Sequence, residues 1–333
     1  SAPICGGPRD RRSFYYLFCF SAPDGGEPAK FHLLGGIMKK LLFIYNPHAG
    51  KGQIRTKLAD VLDIFTKAGW LVTVRATQGK AGATYTAAWL GGEYDRLVCC
   101  GGDGTLHEVV TGLMSIERRP EVGYIPAGTT NDFSRNLKLP KGYEALAATA
   151  AEGIPRPVDI GRFNDRYFVY VAAFGAFTDV AYDTPQQVKN MFGHLAYVLE
   201  GIARLGNLKG YQAKVEYDGG VLEDEFIFGM VSNTVSVGGM LGLPADTVAL
   251  DDGLLEAVLV RTPRNPMELQ GVITALMKQT TDEAAGVMGF HTSRLKITCA
   301  DETPWTLDGE YGGAPKVAEI AACRHAVNIV YGA

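Results

Sequence analysis

The stretch Val98-Cys99-Cys100-Gly101-Gly102-Asp103-Gly104-Thr105-Leu106-His107-Glu108-Val109-Val110 constrains this chain more than any other. An apolar strand runs straight into a glycine-rich turn, and apolar residues at helical spacing follow at once. Glycines let the main chain approach a phosphate and present its N–H groups to it. The helix start adds a favourable dipole. Asp103 can reach a metal or its water shell, and Thr105 can cap the helix or touch a phosphate. A glycine-rich turn alone says little. Here each position suits one geometry, which favours an anion-binding turn over a plain tight turn.

The surrounding pattern alternates strand, loop and helix. Leu41–Tyr45, Trp70–Ala76, Arg96–Cys100 and Val122–Ile125 read as strands. Helical spacing is seen at Ile54, Leu58, Val61, Leu62 and Phe65, and over Ala81–Leu90, Leu106–Met114, Asn131–Leu137 and Tyr143–Glu152. Strands alternating with helices predict a parallel sheet covered on both faces, with ligands beyond the carboxyl ends of its strands. After about residue 155 the character changes. Val158–Phe163, Arg166–Ala173, Tyr211–Tyr217, Glu225–Ser232, Leu254–Val260, Leu295–Thr298 and Val327–Tyr331 read as strands broken by Asp-Gly turns. Helical stretches at Gln186–Leu205 and Pro266–Gln279 interrupt them. The expected fold class is α/β: an N-terminal parallel-sheet nucleotide domain over 38–157 and a C-terminal β-sandwich-like domain over 158–333. The last strands are free to return to the first domain.

Residues 1–37 mix arginine-rich, aromatic and Gly/Pro-rich pieces without a period. Met38-Lys39-Lys40 before an apolar strand reads as a natural start, so 1–37 is expected to be a leader outside the fold. The net charge of −4 argues against a general nucleic-acid binder. It leaves room for an enzyme that works at a membrane surface through a local patch. No apolar run is long enough to span a bilayer. The six cysteines (Cys5, Cys19, Cys99, Cys100, Cys299, Cys323) lack metal-ligand spacing. Adjacent Cys99 and Cys100 read as buried thiols, which points to a reducing, cytoplasmic compartment.

Two further loops fall at the same sheet edge. Asn46-Pro47-His48-Ala49-Gly50-Lys51-Gly52 lacks Walker A spacing, yet its glycines and lysine before a helix suit a polyphosphate as well as a plain turn. Gly128-Thr129-Thr130-Asn131-Asp132-Phe133 carries Asn131 and Asp132, which could simply cap a helix. Its coincidence with two other anion-ready loops favours a binding role.

The ordered set NPHAGKG, GGDGTLHEVV and GTTNDFSRNL resembles the diacylglycerol kinase catalytic-domain family, and most closely its soluble bacterial lipid-kinase branch. The resemblance covers about residues 38–333 and includes Ala173–Val180 and Leu307-Asp308-Gly309-Glu310. GGDGT alone is shared with NAD kinases and phosphofructokinases.

The resemblance implies a cleft between the two domains and transfer of the γ-phosphate of ATP, with Mg²⁺, to a lipid hydroxyl. Carried over by position, nucleotide contacts fall on Asn46, Pro47, His48, Ala49 and Gly50, on Thr77, on Gly101, Gly102, Asp103, Gly104, Thr105, Leu106 and His107, and on Thr129. Asp308 matches the family's proton acceptor and Glu310 its acidic neighbour. Ala249, Asp252 and Leu254 match a metal loop. A water network from it is implied towards Lys51, Asp103 and Asp132.

The chemistry agrees with these roles. A carboxylate can take the proton of an attacking hydroxyl. Loop amides, Lys51 and Mg²⁺ can neutralise a loose phosphoryl-transfer transition state. His107 either lines the nucleotide pocket or merely occupies a helix face. Asp308-Gly309 could also be an ordinary β-turn. The expected acceptor is diacylglycerol, collected at the cytoplasmic face of the membrane, and the expected product is phosphatidic acid. A sphingoid base, NAD or a polyprenol are alternative acceptors, a membrane adaptor without turnover is the rival class, and a homodimer is the default assembly.

Overall fold

The computed structural model describes residues 38–129, 131–175, 196, 199, 209–233 and 249–332. The expected leader, most of Gln186–Leu205, and the motif residues Ala176–Val180 lie outside them. Of the helical stretch only Ala196 and Leu199 are described, and both are buried.

The first half is built on four parallel strands: β1 (Lys40–Tyr45), β2 (Leu71–Ala76), β3 (Arg96–Gly101) and β4 (Glu121–Pro126). Their order is β2-β1-β3-β4, so the chain leaves β1 to one side and later returns to the other. That reversal between β1 and β3 opens a crevice at their carboxyl ends, the usual ligand position in such sheets. Successive side chains of the strands serve opposite faces. Leu42, Ile44, Leu97 and Cys99 pack with residues of α2 (Gly82–Leu90) and α3 (Asp103–Met114), including Ala83, Ala87, Val109 and Val110. Leu41, Phe43, Val98 and Cys100 pack with α1 (Ile54–Lys67) and α5 (Tyr143–Glu152) through Val61, Phe65, Ala147 and Ala150. Every residue of β3 is buried, which explains its continuous apolar run. Burial pushes the Cys100 thiol up to about 12, so it is an inert core group. A short helix α4 (Asp132–Asn136) follows β4.

The second half is antiparallel apart from one contact. It contains β5 (Ile154–Phe163), β6 (Arg166–Phe168), β7 (Val171–Gly175), β8 (Tyr211–Tyr217), β9 (Gly220–Ser232), β10 (Leu255–Arg261), the helix α6 (Pro266–Lys278), β11 (Val287–Thr292), β12 (Arg294–Cys299), β13 (Trp305–Leu307), β14 (Glu310–Gly313) and β15 (Val317–Tyr331). Its aromatic core includes Phe163, Phe174, Phe226 and Trp305. Strand β15 pairs antiparallel with β5 and β12 and parallel with β4, through Ile329 opposite Val122 and Val330 opposite Gly123. One hydrogen-bonded sheet therefore runs through both halves.

One stretch differs from the sequence pattern. Arg166–Ala173 reads as a single strand, but it divides at Val169-Tyr170 into β6 and β7. The backbone amides of this break turn towards a side chain from a distant hairpin, which the next section locates.

Candidate active site

The three glycine loops meet at the crevice between β1 and β3. The Asn46 amide donates to the Cys100 carbonyl at 2.8 Å, and its Nδ2 donates to Thr105 Oγ1 at 3.4 Å. The Asn46 carboxamide oxygen accepts the His48 amide at 2.9 Å. Arg55, in the first turn of α1, donates from Nε to the Pro47 carbonyl at 2.9 Å and approaches His48 Nδ1 at 3.3 Å. The first loop is thus pinned before any ligand arrives. Gly50 has φ +53°, and a Cβ there would lie 2.4 Å from the Ala127 oxygen. A Cβ on Gly128 would lie 2.6 Å from Gly102 Cα. Only glycine permits these main chains to lie so close. Lys51 and Thr129 are exposed, whereas Ala49 is buried.

Asp103 is engaged within the protein. Its carboxylate accepts the amides of Asp132 at 2.8 Å and Phe133 at 3.3 Å, and Tyr124 Oη lies at 3.5 Å. It therefore ties the second loop to the third. Burial raises its pKa, and the two amides partly offset that. Leu106 has its side chain in the core, so any nucleotide contact it makes is through its main chain. Glu108 accepts the amides of Ala81 at 3.0 Å and Ala83 at 3.0 Å, capping α2 from α3. Thr77 lies just after β2, with its amide on the Tyr45 carbonyl at 2.9 Å.

Asp308 occupies the β13–β14 hairpin. Leu307 pairs with Glu310, leaving Asp308 (φ +51°) and Gly309 (φ +85°) as a two-residue turn of the type that requires left-handed backbone at both positions. The turn reading and the functional reading describe the same residues. Asp308 differs from expectation in its setting. A proton acceptor is expected to face the hydroxyl it serves, but the Asp308 side chain is 0% exposed. Oδ2 accepts the Val169 amide at 2.6 Å and faces His107 Nδ1 at 2.7 Å. Oδ1 accepts the amides of Tyr170 and Val171, each at 3.0 Å. An ionised carboxylate has about four lone-pair directions, and all are filled. The break between β6 and β7 exists where these three amides converge.

His107 lies on α3 one turn beyond Asp103, on the same helix face. It joins the glycine-loop half to the β half through Asp308. Burial pulls its pKa down, but the hydrogen bond and charge of Asp308 outweigh this and leave it raised above the ordinary imidazole value. Glu310 lies next to this centre, half-exposed, with Lys80 Nζ 3.7 Å from its Oε2. Arg166 donates to the Tyr311 carbonyl at 2.9 Å and its charge reaches His107.

Ala249, Asp252 and Leu254 do share a loop. Asp252 Oδ1 accepts the Leu254 amide at 2.9 Å. The neighbouring Asp159 accepts the Gly253 and His325 amides, each at 2.6 Å, and His325 Nε2 meets the Asp251 carbonyl at 2.9 Å. Burial raises the Asp159 pKa; the two amides offset part of that, and the charge of Asp252 adds to it. Nearby negative charge and hard oxygen donors suit a divalent cation. No cluster of three or more His, Cys, Asp or Glu side chains able to hold a metal occurs among the described residues, so a cation here would depend on main-chain carbonyls and water.

Sequence reasoning missed Arg55, Glu108, Arg166, Asp159 and the Val169–Val171 amides. Only Glu108 carried a signal, as the acidic residue closing GGDGTLHE. The others act through partners far away in the chain.

Residues 40–163 match the family model described as the diacylglycerol kinase catalytic domain. A diacylglycerol kinase of Bacillus subtilis (strain 168) is 37% identical over 278 residues, 83% of this chain and 91% of the relative. One from Staphylococcus aureus (strain MRSA252) is 36% identical over 276 residues, 83% of this chain and 87% of the relative. The crystal structure of a diacylglycerol kinase from Bacillus anthracis str. Sterne superposes with a TM-score of 0.68 at 25% identity, covering 88% of this chain and 97% of that one. Fold, loops and relatives define an α/β lipid kinase, a transferase. The chain belongs to the diacylglycerol kinase family. Membership implies that ATP is its phosphoryl donor.

Proposed function

We propose that the protein transfers the γ-phosphate of ATP to the free hydroxyl of diacylglycerol, yielding phosphatidic acid and ADP. The reading rests above all on the Asp308–His107 contact, which joins the β half to the helix that begins at the glycine turn. In this reading the triphosphate lies across Asn46–Gly50, Gly101–Thr105 and Thr129. Main-chain N–H groups and Lys51 meet its charge there. Leu106, Thr77 and Asp132 shape the pocket from behind. The Asp308–His107 centre receives the acceptor proton, and Glu310 flanks the mouth. Preorganised donors suit a loose transition state, because positioning and charge neutralisation supply most of the acceleration.

Mg²⁺ is assigned two places: with the triphosphate, where it neutralises charge when bound, and at Ala249, Asp252 and Leu254. Near the second place Asp159 and Asp252 repel each other, and a cation relieves that repulsion. No helix among the described residues is long and apolar enough to cross a membrane. The lipid nature of the acceptor is the reason for placing the enzyme in transient contact with the cytoplasmic face of a membrane.

The test is phosphatidic acid formation from labelled ATP with diacylglycerol in mixed micelles. Product that depends on diacylglycerol supports the reading. ATP binding without product defeats it and favours an adaptor.

A further inference from the structure

We propose that His107 is a positioning residue for Asp308: its ring occupies the place on Oδ2 that the acceptor hydroxyl must take, and it gives that place up as a neutral imidazole but not as an imidazolium. Asp308 remains the proton acceptor. The proposal rests on the kinase reading above and deepens it.

Two observations carry it. First, the donors on Asp308 are not equally free to leave. Three are main-chain amides, those of Val169, Tyr170 and Val171. That stretch is fixed from both sides: the Asp308 amide donates to the Val171 carbonyl at 2.8 Å, and the Asn233 amide to the Tyr170 carbonyl at 3.0 Å. Withdrawing one of these amides would break the start of β7, which is paired with both β9 and β13. The fourth donor is a side chain from α3, and it leaves by turning about its own bonds. Second, the ring stands on the open side of the carboxylate. Val169, Tyr170 and Val171 are buried and the Asp308 side chain has no exposed surface, whereas the His107 side chain keeps 13% exposure. A hydroxyl arriving from the crevice therefore meets the ring first, and Oδ2 is the oxygen it reaches once the ring has turned.

The charge of the ring decides how readily this exchange occurs. An imidazolium 2.7 Å from Oδ2 makes a charge-assisted hydrogen bond, the stronger kind, and its charge lowers the affinity of the carboxylate for a proton. A neutral ring is held less tightly and leaves the carboxylate its full basicity. The hydroxyl then donates to Oδ2. Its oxygen bonds to the γ-phosphorus as the bond from that phosphorus to the β–γ bridging oxygen breaks. The hydroxyl proton passes to Asp308, and ADP leaves with the electron pair. Asp308 returns the proton to water once product departs. Groups of both signs bias the ring. Asp308 in the hairpin turn and Glu310 on β14 favour the imidazolium, and Arg166 on β6 opposes it. Lys80, just before α2, lies against Glu310 and partly offsets it. Asp103, one turn earlier on the same helix, is occupied by the amides of Asp132 and Phe133. The balance favours the charged form, so the blocked state persists above about pH 6.5, the ordinary imidazole value.

The test measures kcat/KM for diacylglycerol in the micelle assay, at saturating ATP, for wild type and H107N from about pH 5.5 to about pH 9. Beside it runs an NMR titration of the His107 imidazole in wild type with a non-hydrolysable ATP analogue bound, the form that kcat/KM reports. We expect the wild-type value to rise with pH, by about tenfold per unit below its midpoint as for one titrating group, with the midpoint above about 6.5 and within about one unit of the NMR midpoint. The H107N carboxamide can donate to Asp308 but carries no charge, so this variant loses the acid limb, and at the alkaline end it is slower than wild type by less than about 100-fold. A flat wild-type profile, an NMR midpoint further from the kinetic one, or the same acid limb in H107N overturns the proposal. A larger loss at the alkaline end, in an H107N that still melts cooperatively, also overturns it, because the ring would then take part in the chemistry itself. The wild-type profile and titration need no variant to fold. Failure of wild type to make phosphatidic acid defeats the kinase reading instead, so the two failures are distinguishable.

Discussion

Replacing Asp308 by Asn changes one atom and disturbs four contacts. In the better orientation the amide oxygen takes the place of Oδ1 and still accepts from Tyr170 and Val171. The NH₂ group then faces the Val169 amide, a donor against a donor. One buried amide is left unpaired, at a cost of about 1–3 kcal/mol. The two remaining bonds lose their charge assistance, worth about 1 kcal/mol each. Together the loss is about 3–5 kcal/mol, which at roughly 2–4 °C per kcal/mol lowers Tm by roughly 6–20 °C. His107 adapts by turning Nδ1 into an acceptor, so the centre loses its carboxylate and its means of taking up the acceptor proton. D308N should therefore be both less stable and inactive, and D308A, which leaves three amides and an imidazole unpaired, less stable still. Differential scanning calorimetry checks the order. A D308N melting point within about 1 °C of wild type, as for an ordinary surface substitution, refutes the fourfold coordination.

Other consequences are open to direct measurement. The folded His107 has a raised pKa, so the stability it contributes is full below about 6.5, the unfolded value, and is lost as pH rises through the folded value; the Tm difference between wild type and H107Q should shrink from pH 6 to 9, and a constant difference counts against the ion pair. G128A must separate Gly128 from Gly102; overpacking costs about 1–3 kcal/mol and the displaced loops should weaken ATP binding, which isothermal titration would read. E108A removes the cap on α2 and should cost about 1–2 kcal/mol in urea unfolding, with the midpoint moving and the slope unchanged. MgCl₂ should raise the Tm of wild type but not of D252N, and equal shifts in both would remove the cation from that loop.

Much of the first half was readable because its cues are local. Val98–Val110 contains the strand, the turn and the helix start, and the structure has β3 ending at Gly101 and α3 beginning at Asp103. The alternation of strands with helices forecast a sheet covered on both faces, and Leu42 and Ile44 do pack on one side of it while Leu41 and Phe43 pack on the other. Less could be read in the second half. Strands β13 and β14 have three and four residues, too few for a period to emerge. The Asp308 setting was invisible for a different reason: its donors lie 137 to 139 residues upstream for the amides and 201 for His107. Nothing near Val169 announces that its amide will leave a ladder for a carboxylate. Asp103 was legible as a functional type of residue, but not as the clamp that holds Asp132 and Phe133.

Strand β15 is made after every other described element, yet it is the neighbour that β4 requires on its outer side. During synthesis the nucleotide-side sheet consequently waits with β4 as an open edge, a template for unwanted pairing. Closing it joins segments about two hundred residues apart, which predicts slow, concentration-sensitive refolding and a strong dependence of yield on chaperones.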